Sequence, residues 1–225
     1  MTDAFQTAAR AEYQKSAAQI AKLKEPAAAL QKSYERYDNL IAAAIDESPT
    51  KPACKAGCAF CCHYKVEVRA HEILLIKDYL VKHFSAEKIA AVLAEAEANA
   101  AVIRTLTPEQ HLTTNLKCAL LQDNQCSIYP VRPFRCRNFH STDASACEKS
   151  HSDPGNMEIE TGMVESVAVY ADAHTQGFEA AAEQTGRDAR IYDFTTALVE
   201  VFAEPAVIKR YQRGKKAFQN AIEVN

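Results

Sequence analysis

The sequence lacks the features that would place it in a membrane, in a secretory pathway or on nucleic acid. No apolar run in its 225 residues approaches the ~20 residues that a membrane-spanning helix needs. Its N-terminal stretch, MTDAFQTAARAEYQK, has neither an apolar core nor a small-residue cleavage site, so it is not a secretory signal. The net charge is −3, which leaves no excess of positive charge to attract a phosphate backbone. We therefore expect a cytoplasmic protein that binds neither membranes nor nucleic acid.

Familiar catalytic signatures are missing as well. The chain has no HExxH, GxSxG, P-loop or GxGxxG motif, and it contains neither internal repeats nor low-complexity tracts. Hydrophobic residues make up 48% of the chain and charged residues 24%, which is ordinary for a globular protein. The sequence therefore predicts a folded chain but identifies no reaction and no catalytic residue.

Helical periodicity dominates both ends of the chain. Apolar residues recur at spacings of three and four through residues 1–47, which predicts an N-terminal helical hairpin, and again within 153–225, which predicts C-terminal helices. The last predicted helix includes Phe218 and Ile222. Residues 48–152 form the predicted cysteine-cluster metal-binding region. We expect one compact, mostly α domain, a helical bundle that encloses a small irregular cysteine-rich lobe.

Two shorter signals lie in this middle region. Asp123 and Asn124 separate two short apolar pieces, and this pattern predicts a short β-hairpin. Residues 70–83 have a helical pattern, and Ser85 is a suitable N-cap for the helix that follows.

All eight cysteines fall into two groups. The groups are Cys54-x3-Cys58-x2-Cys61-Cys62 and Cys118-x7-Cys126-x9-Cys136-x10-Cys147. Two thiolates separated by two to four residues can hold one metal from a single irregular turn. In an extended segment, the adjacent Cys61 and Cys62 point opposite ways, so they could serve two metals or two faces of one cluster. Four sulfurs complete a zinc site or a cubane cluster, and eight could build two centres.

Other uses of cysteine are open. Disulfides are disfavoured in a reducing compartment, whereas burial as small hydrophobic residues suits one or two positions, most easily Cys118 or Cys147. The vicinal thiols of Cys61 and Cys62 could also serve in redox exchange. Metal binding is the interpretation that best explains four thiols within residues 54–62.

The two cysteine blocks resemble those of the YkgJ-type cysteine-cluster family, whose domains chelate zinc or iron. The first block is similar to the family's CxxCxxCC pattern, except that three residues follow Cys54 instead of two. Residues 126–137, CSIYPVRPFRCR, are similar to its second block, C-x2-Y-x2-RP-x2-CR. The resemblance covers about residues 54–147 and implies metal chelation without implying one reaction. It implies eight metal ligands, which are Cys54, Cys58, Cys61, Cys62, Cys118, Cys126, Cys136 and Cys147.

The identity of the metal is predicted less directly. The gaps of 7, 9 and 10 residues in the second group are unlike those of a zinc knuckle, and they favour a larger body such as a 4Fe-4S iron–sulfur cluster over zinc. Thiolates are soft ligands that bind zinc and iron–sulfur clusters alike, so zinc remains an alternative. His63, His140 and His151 lie near cysteines in the sequence, and each is either a further zinc ligand or a solvent-exposed or supporting residue.

Three arginines surround Cys136. Arg132, Arg135 and Arg137 would offset the negative charge of a thiolate centre, or they would bind an anionic substrate. The leading interpretation of the whole chain is a metal-binding protein whose centre has a structural or redox role. The alternatives are a metal-dependent enzyme that modifies a protein or small molecule, and a metal carrier or sensor. The expected partner is the metal ion or cluster, and the sequence does not identify a protein partner.

Overall fold

A computed structural model describes residues 2–224, and the chain is mostly helical, as predicted. The helices within these residues are α1 (Thr2–Leu23), α2 (Pro26–Glu47), α3 (Ala70–His83), α4 (Ala86–Ile103), α5 (Pro108–Leu112), α6 (Phe134–Arg137), α7 (Ala144–Ser152), α8 (Glu165–Glu183), α9 (Phe194–Ala203) and α10 (Ala206–Gln212). Short 3-10 helices span Phe60–His63 and Tyr129–Val131. The strands are β1 (Glu67–Arg69), β2 (Leu121–Gln122), β3 (Gln125–Cys126) and β4 (Ile191–Asp193).

Helices α1, α2 and α8 pack around one apolar cluster. Helix α8 lies so close to α1 that a Cβ added at Gly177 would overlap the carbonyl oxygen of Ala9. The cluster includes Tyr34 of α2 and Phe178 of α8, both fully buried. Phe134, from the second cysteine block, inserts into it with its ring centroid 4.9 Å from that of Tyr34.

A second apolar cluster lies between α3, α4 and α9. It includes Ile76, Val92 and Leu198 from the three helices, and Leu120 from the segment that follows Cys118. Each cluster therefore buries apolar side chains from the cysteine-rich stretch, which anchors that stretch between two groups of helices.

The predicted hairpin is present as β2 and β3. Leu121 lies opposite Cys126, and the two turn residues Asp123 and Asn124 have φ of 49° and 57°. Positive φ at both central positions is typical of a type I′ turn, in which Asn and Asp are favoured. The helical prediction for residues 70–83 is also confirmed, and Ser85 Oγ accepts a hydrogen bond from the Lys88 amide at 3.2 Å.

The last predicted helix is wrong in its extent. Helix α10 ends at Gln212, and residues 213–224 form an irregular segment, here called the C-terminal strap, which contains Phe218 and Ile222. Gly214, with φ of 67°, turns the chain out of the helix. The strap then lies beside β4, where the Val224 amide donates to the carbonyl of Ile191 at 2.9 Å.

A buried carboxylate holds the strap in place. The Glu200 side chain of α9 accepts hydrogen bonds from the backbone amides of Gln219, Asn220 and Ala221 at 2.6–2.7 Å. These amides would donate to carbonyls in a helix, so their capture by Glu200 replaces the predicted helical turn. None of the helices within residues 2–224 is both long and apolar enough to cross a membrane.

Candidate metal centre

The first cysteine block forms two tight bends in succession. The amide of Cys58 donates to the carbonyl of Lys55 at 3.0 Å, and Gly57, between them, has φ of 86°, which few other residues adopt. The amide of Cys62 then donates to the carbonyl of Ala59 at 3.0 Å. The block therefore changes direction twice within nine residues and ends in the 3-10 helix Phe60–His63.

Helix α7 brings Cys147 to the first block. Asp143 caps this helix by accepting a hydrogen bond from the Ala146 amide at 3.0 Å. Just before it, the Ser141 carbonyl accepts a hydrogen bond from the Ala53 amide at 2.7 Å, and the Cys54 thiol donates to the same carbonyl at 3.8 Å. Helix α7 packs against the 3-10 helix Phe60–His63, and the Tyr64 hydroxyl donates to the Cys147 carbonyl at 3.4 Å.

The β2–β3 hairpin reaches the other end of the first block. The amide of Cys118 donates to the carbonyl of Cys62 at 2.8 Å, so the two cysteines are joined through their backbones. Cys126 lies on β3, a few residues along the same hairpin, and Cys136 lies in the short helix α6. The two sequence groups therefore meet in space through two separate contacts, one at Cys54 and one at Cys62.

All eight cysteines are free thiols, and they are unequally buried. Cys54 is exposed and Cys147 is buried, while the other six are partly buried. The predicted alternative of disulfides therefore has no support among these residues. Cys118 and Cys126 pack against the apolar cluster between α3, α4 and α9, which leaves them poorly solvated.

Burial and crowding raise the pKa of several thiols. Burial raises the pKa of Cys118 to about 11. Burial, followed by the charges of Cys118 and Cys126, holds the pKa of Cys136 well above its ordinary value. Burial raises the pKa of Cys147, and the charges of Cys58 and Cys61 add to this effect. A set of thiolates in these positions requires a neighbouring positive charge, which a metal ion supplies.

The chemistry of this donor set fits zinc or an iron–sulfur cluster, both of which take several thiolates. The arrangement is not already closed, however. Within residues 2–224, no three His, Cys, Asp or Glu side chains form a group arranged to hold one metal ion.

The three predicted arginines have different surroundings. The charge of Arg132 lowers the pKa of Cys61, Cys126 and Cys136, although other effects outweigh it, so this guanidinium lies near the second cysteine block. It also stacks on the Tyr129 ring, 4.0 Å from the centroid.

Arg137 is buried and fully occupied by protein partners. It donates to the Asp38 carboxylate at 2.5 Å and to the carbonyls of Pro130 and Arg132 at 2.6 and 2.9 Å. It therefore joins α2 to the second cysteine block. Arg135, two residues earlier on α6, is exposed.

The three predicted histidines lie near the cysteine blocks without a common focus. The rings of His63 and His151 pack edge to face, with centroids 4.6 Å apart. His63 Nδ1 lies 3.1 Å from the Ala59 carbonyl, which leaves Nε2 as the available nitrogen. His140 is separate, and burial followed by the charge of Arg132 lowers its pKa.

Sequence reasoning missed Glu72, which positions the second block. Its buried carboxylate accepts hydrogen bonds from the amides of Arg69 and Phe134, both at 2.9 Å, and from the Tyr34 hydroxyl at 3.1 Å. Its place in the first turn of α3 signals only the local bond to Arg69. The contact with Phe134 crosses 62 residues, and no local pattern predicts it.

A small cavity lies beside Cys118. It has a volume of about 30 Å³, and its lining includes His63, His111 and Asp193. His111 Nε2 lies 3.9 Å from the nearest Asp193 carboxylate oxygen, too far for a hydrogen bond. A space of this size holds a few water molecules and is too small for an organic substrate.

The comparisons with known proteins agree with the cysteine geometry. Residues 53–159 match the family model described as "CxxCxxCC: Putative zinc- or iron-chelating domain". Searches of curated proteins and of solved structures gave no match. The matched segment covers slightly less than half of the chain, and it contains all eight cysteines together with α7. Residues 53–159 are therefore similar to the CxxCxxCC family, which supports metal binding by this segment.

Proposed function

We propose that the eight cysteines bind metal as thiolates and that the metal completes the fold of the cysteine-rich region. The observation that carries this proposal is a set of eight free thiols on two blocks that meet where the Cys54 thiol donates to Ser141 and the Cys118 amide donates to Cys62. Burial also raises the pKa of Cys118, Cys136 and Cys147, and neighbouring thiols add to this effect. Such a cluster is unfavourable as bare thiolates, and it becomes favourable around a cation.

The metal would contribute to stability through the loops that it joins. Residues 48–59 and 113–120 lie outside regular helices and strands. Their apolar anchors, such as Leu120, are few. Binding free energy at their cysteines would become folding free energy, as in other small metal-bound domains.

We favour an iron–sulfur cluster over zinc, with a structural or redox role. The thiols come from the first block, from the β2–β3 hairpin and the segment before it, and from α6 and α7, which are separate elements of the chain. Ligands separated by 7, 9 and 10 residues along the chain suit a cluster several atoms wide better than the paired knuckles of a zinc site. Arg132 would offset part of the negative charge.

A carrier or sensor role is the second candidate, and one observation favours it. Cys54 is exposed, whereas the other seven cysteines are partly or fully buried. A ligand open to solvent can exchange with an outside thiol more easily than a buried one.

Anaerobic purification followed by metal, acid-labile sulfide and absorption measurements tests the proposal. We expect stoichiometric iron with sulfide and a visible absorption band if the centre is an iron–sulfur cluster. Zinc without visible absorption would favour the zinc form, since Zn²⁺ is d¹⁰. Protein that is folded but contains neither metal would refute the proposal.

A further inference from the structure

Two buried polar atoms that line the same cavity have no hydrogen-bond partner among the described residues 2–224. One is Nε2 of His71, in the first turn of α3, and the other is the hydroxyl oxygen of Tyr211, in α10. The two residues are 2% and 0% exposed. Since buried polar groups in native folds are nearly always paired, both atoms require a partner from outside the chain.

The cavity lies between α3, α8 and α10, and it is small. Its lining also includes Arg69, Glu179 and Asp188, so most of the side chains around it are charged or polar. Its volume is about 10 Å³, which is close to the smallest space that can hold one water molecule. An organic ligand or a hydrated ion is therefore too large for this site.

The charged groups around the cavity are paired with other parts of the protein. Arg69 donates a hydrogen bond to the Glu179 carboxylate at 2.9 Å. The Asp188 carboxylate accepts hydrogen bonds from the Tyr192 hydroxyl at 2.7 Å and from the Ala217 amide at 2.6 Å. These charges are therefore already compensated without a bound ion.

Two further charged residues line the cavity, and both have partners. The Arg187 guanidinium donates to the carbonyls of Lys24 and Tyr211 at 3.3 and 3.5 Å. Glu183 lies 3.3 Å from the Arg69 guanidinium. Each charge among the described residues of this lining therefore has a partner, which favours a neutral ligand over an anion or a cation.

His71 and Tyr211 are themselves neutral at pH 7. Burial, followed by the charge of Arg69, lowers the pKa of His71 to about 3. Burial raises the pKa of Tyr211, and the charge of Glu25 adds to this effect. A neutral imidazole nitrogen either donates or accepts a hydrogen bond, and a hydroxyl can do both. A water molecule complements each of these possibilities.

From this arrangement we propose that the cavity binds one ordered water molecule, which bridges Nε2 of His71 and the hydroxyl of Tyr211. The bridge joins the first turn of α3 to α10 and gives both buried atoms a partner. The His71 ring also packs against Phe178 of α8, with ring centroids 5.4 Å apart, which holds the imidazole in place. No cysteine lines this cavity, so the inference does not rest on the proposed metal binding.

A crystal structure of the wild-type protein, at a resolution that shows ordered water, tests the site directly. We expect one water oxygen at about 2.7–3.2 Å from both His71 Nε2 and the Tyr211 hydroxyl. A cavity without electron density would overturn the proposal. A direct hydrogen bond between the two side chains, or density for a larger molecule, would overturn it as well.

NMR spectroscopy tests the site in solution. We expect a nuclear Overhauser effect between water and the two carbon-bound ring protons of His71, with the sign typical of a long-lived water molecule. Tyr211→Phe removes one partner of the water and should weaken this signal severalfold. Tyr37→Phe is the matched control, because Tyr37 is 1% exposed and its hydroxyl also has no partner within residues 2–224, but it belongs to the other apolar cluster. An equal signal in the two variants would contradict the bridge.

A double-mutant cycle measures the link between the two residues. His71→Leu and Tyr211→Phe each remove one end of the bridge, so each should lower the melting temperature. The double variant should melt close to the less stable single variant, because the bridge is already lost in each single variant. Decreases in melting temperature that simply add would overturn the proposal. If a variant does not fold, the two wild-type measurements still decide the question.

Discussion

Arg137 joins the second cysteine block to the helices through its buried guanidinium. Its side chain is 1% exposed, and it donates to Asp38 and to two backbone carbonyls. Its guanidinium also lies 4.1 Å from the centroid of the Tyr34 ring. A buried hydrogen-bonding group of this kind stabilises a fold mainly because its removal leaves acceptors without partners.

We therefore expect Arg137→Ala to lower the free energy of unfolding by about 2–4 kcal/mol, since two carbonyls lose their donor. Arg135→Ala is the matched control, because Arg135 lies two residues away on α6 and is exposed. Urea unfolding of both variants checks this. Equal stability of the two variants would show that Arg137 does not anchor the block.

His174 is a buried histidine in the network between α1, α2 and α8. Its Nε2 atom lies 2.9 Å from Ser33 Oγ and 3.5 Å from the Glu12 carboxylate. Burial lowers its pKa to about 4; Glu12 acts in the opposite direction, and Arg36 and Lys15 lower the pKa further. The neutral form is therefore the one that the fold accommodates.

The sign of the resulting pH dependence follows from linkage. The unfolded chain binds a proton at His174 near pH 6.5 and the folded chain only near pH 4, so the contribution is present above pH 6.5 and is lost as the pH falls toward 4. Between pH 7 and pH 5 we expect a loss of about 2 kcal/mol from this residue.

Urea unfolding of metal-stripped wild type and His174→Gln at pH 7 and pH 5 measures this loss. Glutamine keeps a side-chain donor near Ser33 but has no proton to bind in this range. We expect the variant to lose less stability than the wild type between the two pH values. An identical loss in both proteins would assign the acid sensitivity to other groups.

Among the elements, the crossing of α1 and α8 depends on one glycine. A Cβ at Gly177 would overlap the Ala9 carbonyl and would press on Glu12 and Tyr13. Without this contact, alanine at position 177 would stabilise the helix by up to about 1 kcal/mol relative to glycine, because of its higher helix propensity. The overlap involves backbone, which cannot move without separating the helices, so the steric effect should prevail.

We expect Gly177→Ala to destabilise the protein by about 1–3 kcal/mol. Gly155→Ala is its control, because a Cβ there meets nothing within 4 Å. Thermal unfolding of both variants makes the comparison. A Gly177→Ala protein as stable as the control would mean that α1 and α8 lie farther apart than described.

The C-terminal strap is an element held by side chains instead of by its own helix. Three of its amides donate to Glu200, so Glu200→Ala should release the strap and expose its peptide bonds. We expect faster trypsin cleavage after Lys215 or Lys216 in this variant than in Glu97→Ala, whose side chain lies on the exposed face of α4. Equal cleavage rates would contradict the role assigned to Glu200.

At the scale of the whole molecule, the sequence predicted correctly those elements whose structure depends on interactions between residues close together in the chain. The helix of residues 70–83 and the hairpin at Asp123-Asn124 follow from periodicity and turn chemistry, and both are present. The strap was predicted as helix because Phe218 and Ile222 fit helical spacing, but Glu200 captures the amides from outside. Spacing within one segment does not reveal a partner in another.

The candidate centre likewise has features that the sequence predicts and features that it does not. Sequence spacing identified all eight cysteines as candidate ligands, and this ligand set stays a prediction; the structure joins the two blocks where the Cys54 thiol donates to Ser141 and the Cys118 amide donates to Cys62. Sequence spacing did not predict the hydrogen bond between Cys54 and Ser141 or the one between Glu72 and Phe134. The partners are 87 and 62 residues apart in the chain, so no local pattern reveals these contacts. The predicted domain limits at residues 47 and 152 stay predictions.

Coupling between metal and folding is a property of the whole molecule. The cysteine blocks contribute side chains to both apolar clusters, so loosening them should weaken α2, α3 and α9 together. Cys58→Ser removes one proposed ligand with little change in volume. We expect this variant to lose metal and to have a lower melting temperature than metal-loaded wild type. A decrease of about 2 kcal/mol in the free energy of unfolding corresponds to a decrease of about 4–8 °C in melting temperature for a chain of this size.

Metal removal from the wild type provides the decisive comparison. If Cys58 acts through the metal, a chelator should lower the wild-type melting temperature toward that of Cys58→Ser and should affect the variant less. Differential scanning calorimetry of both proteins, with and without chelator, gives the four values. A gap between the two proteins that stays constant after metal removal would mean that Cys58 stabilises the fold by packing, and the metal would then have no structural role at that residue.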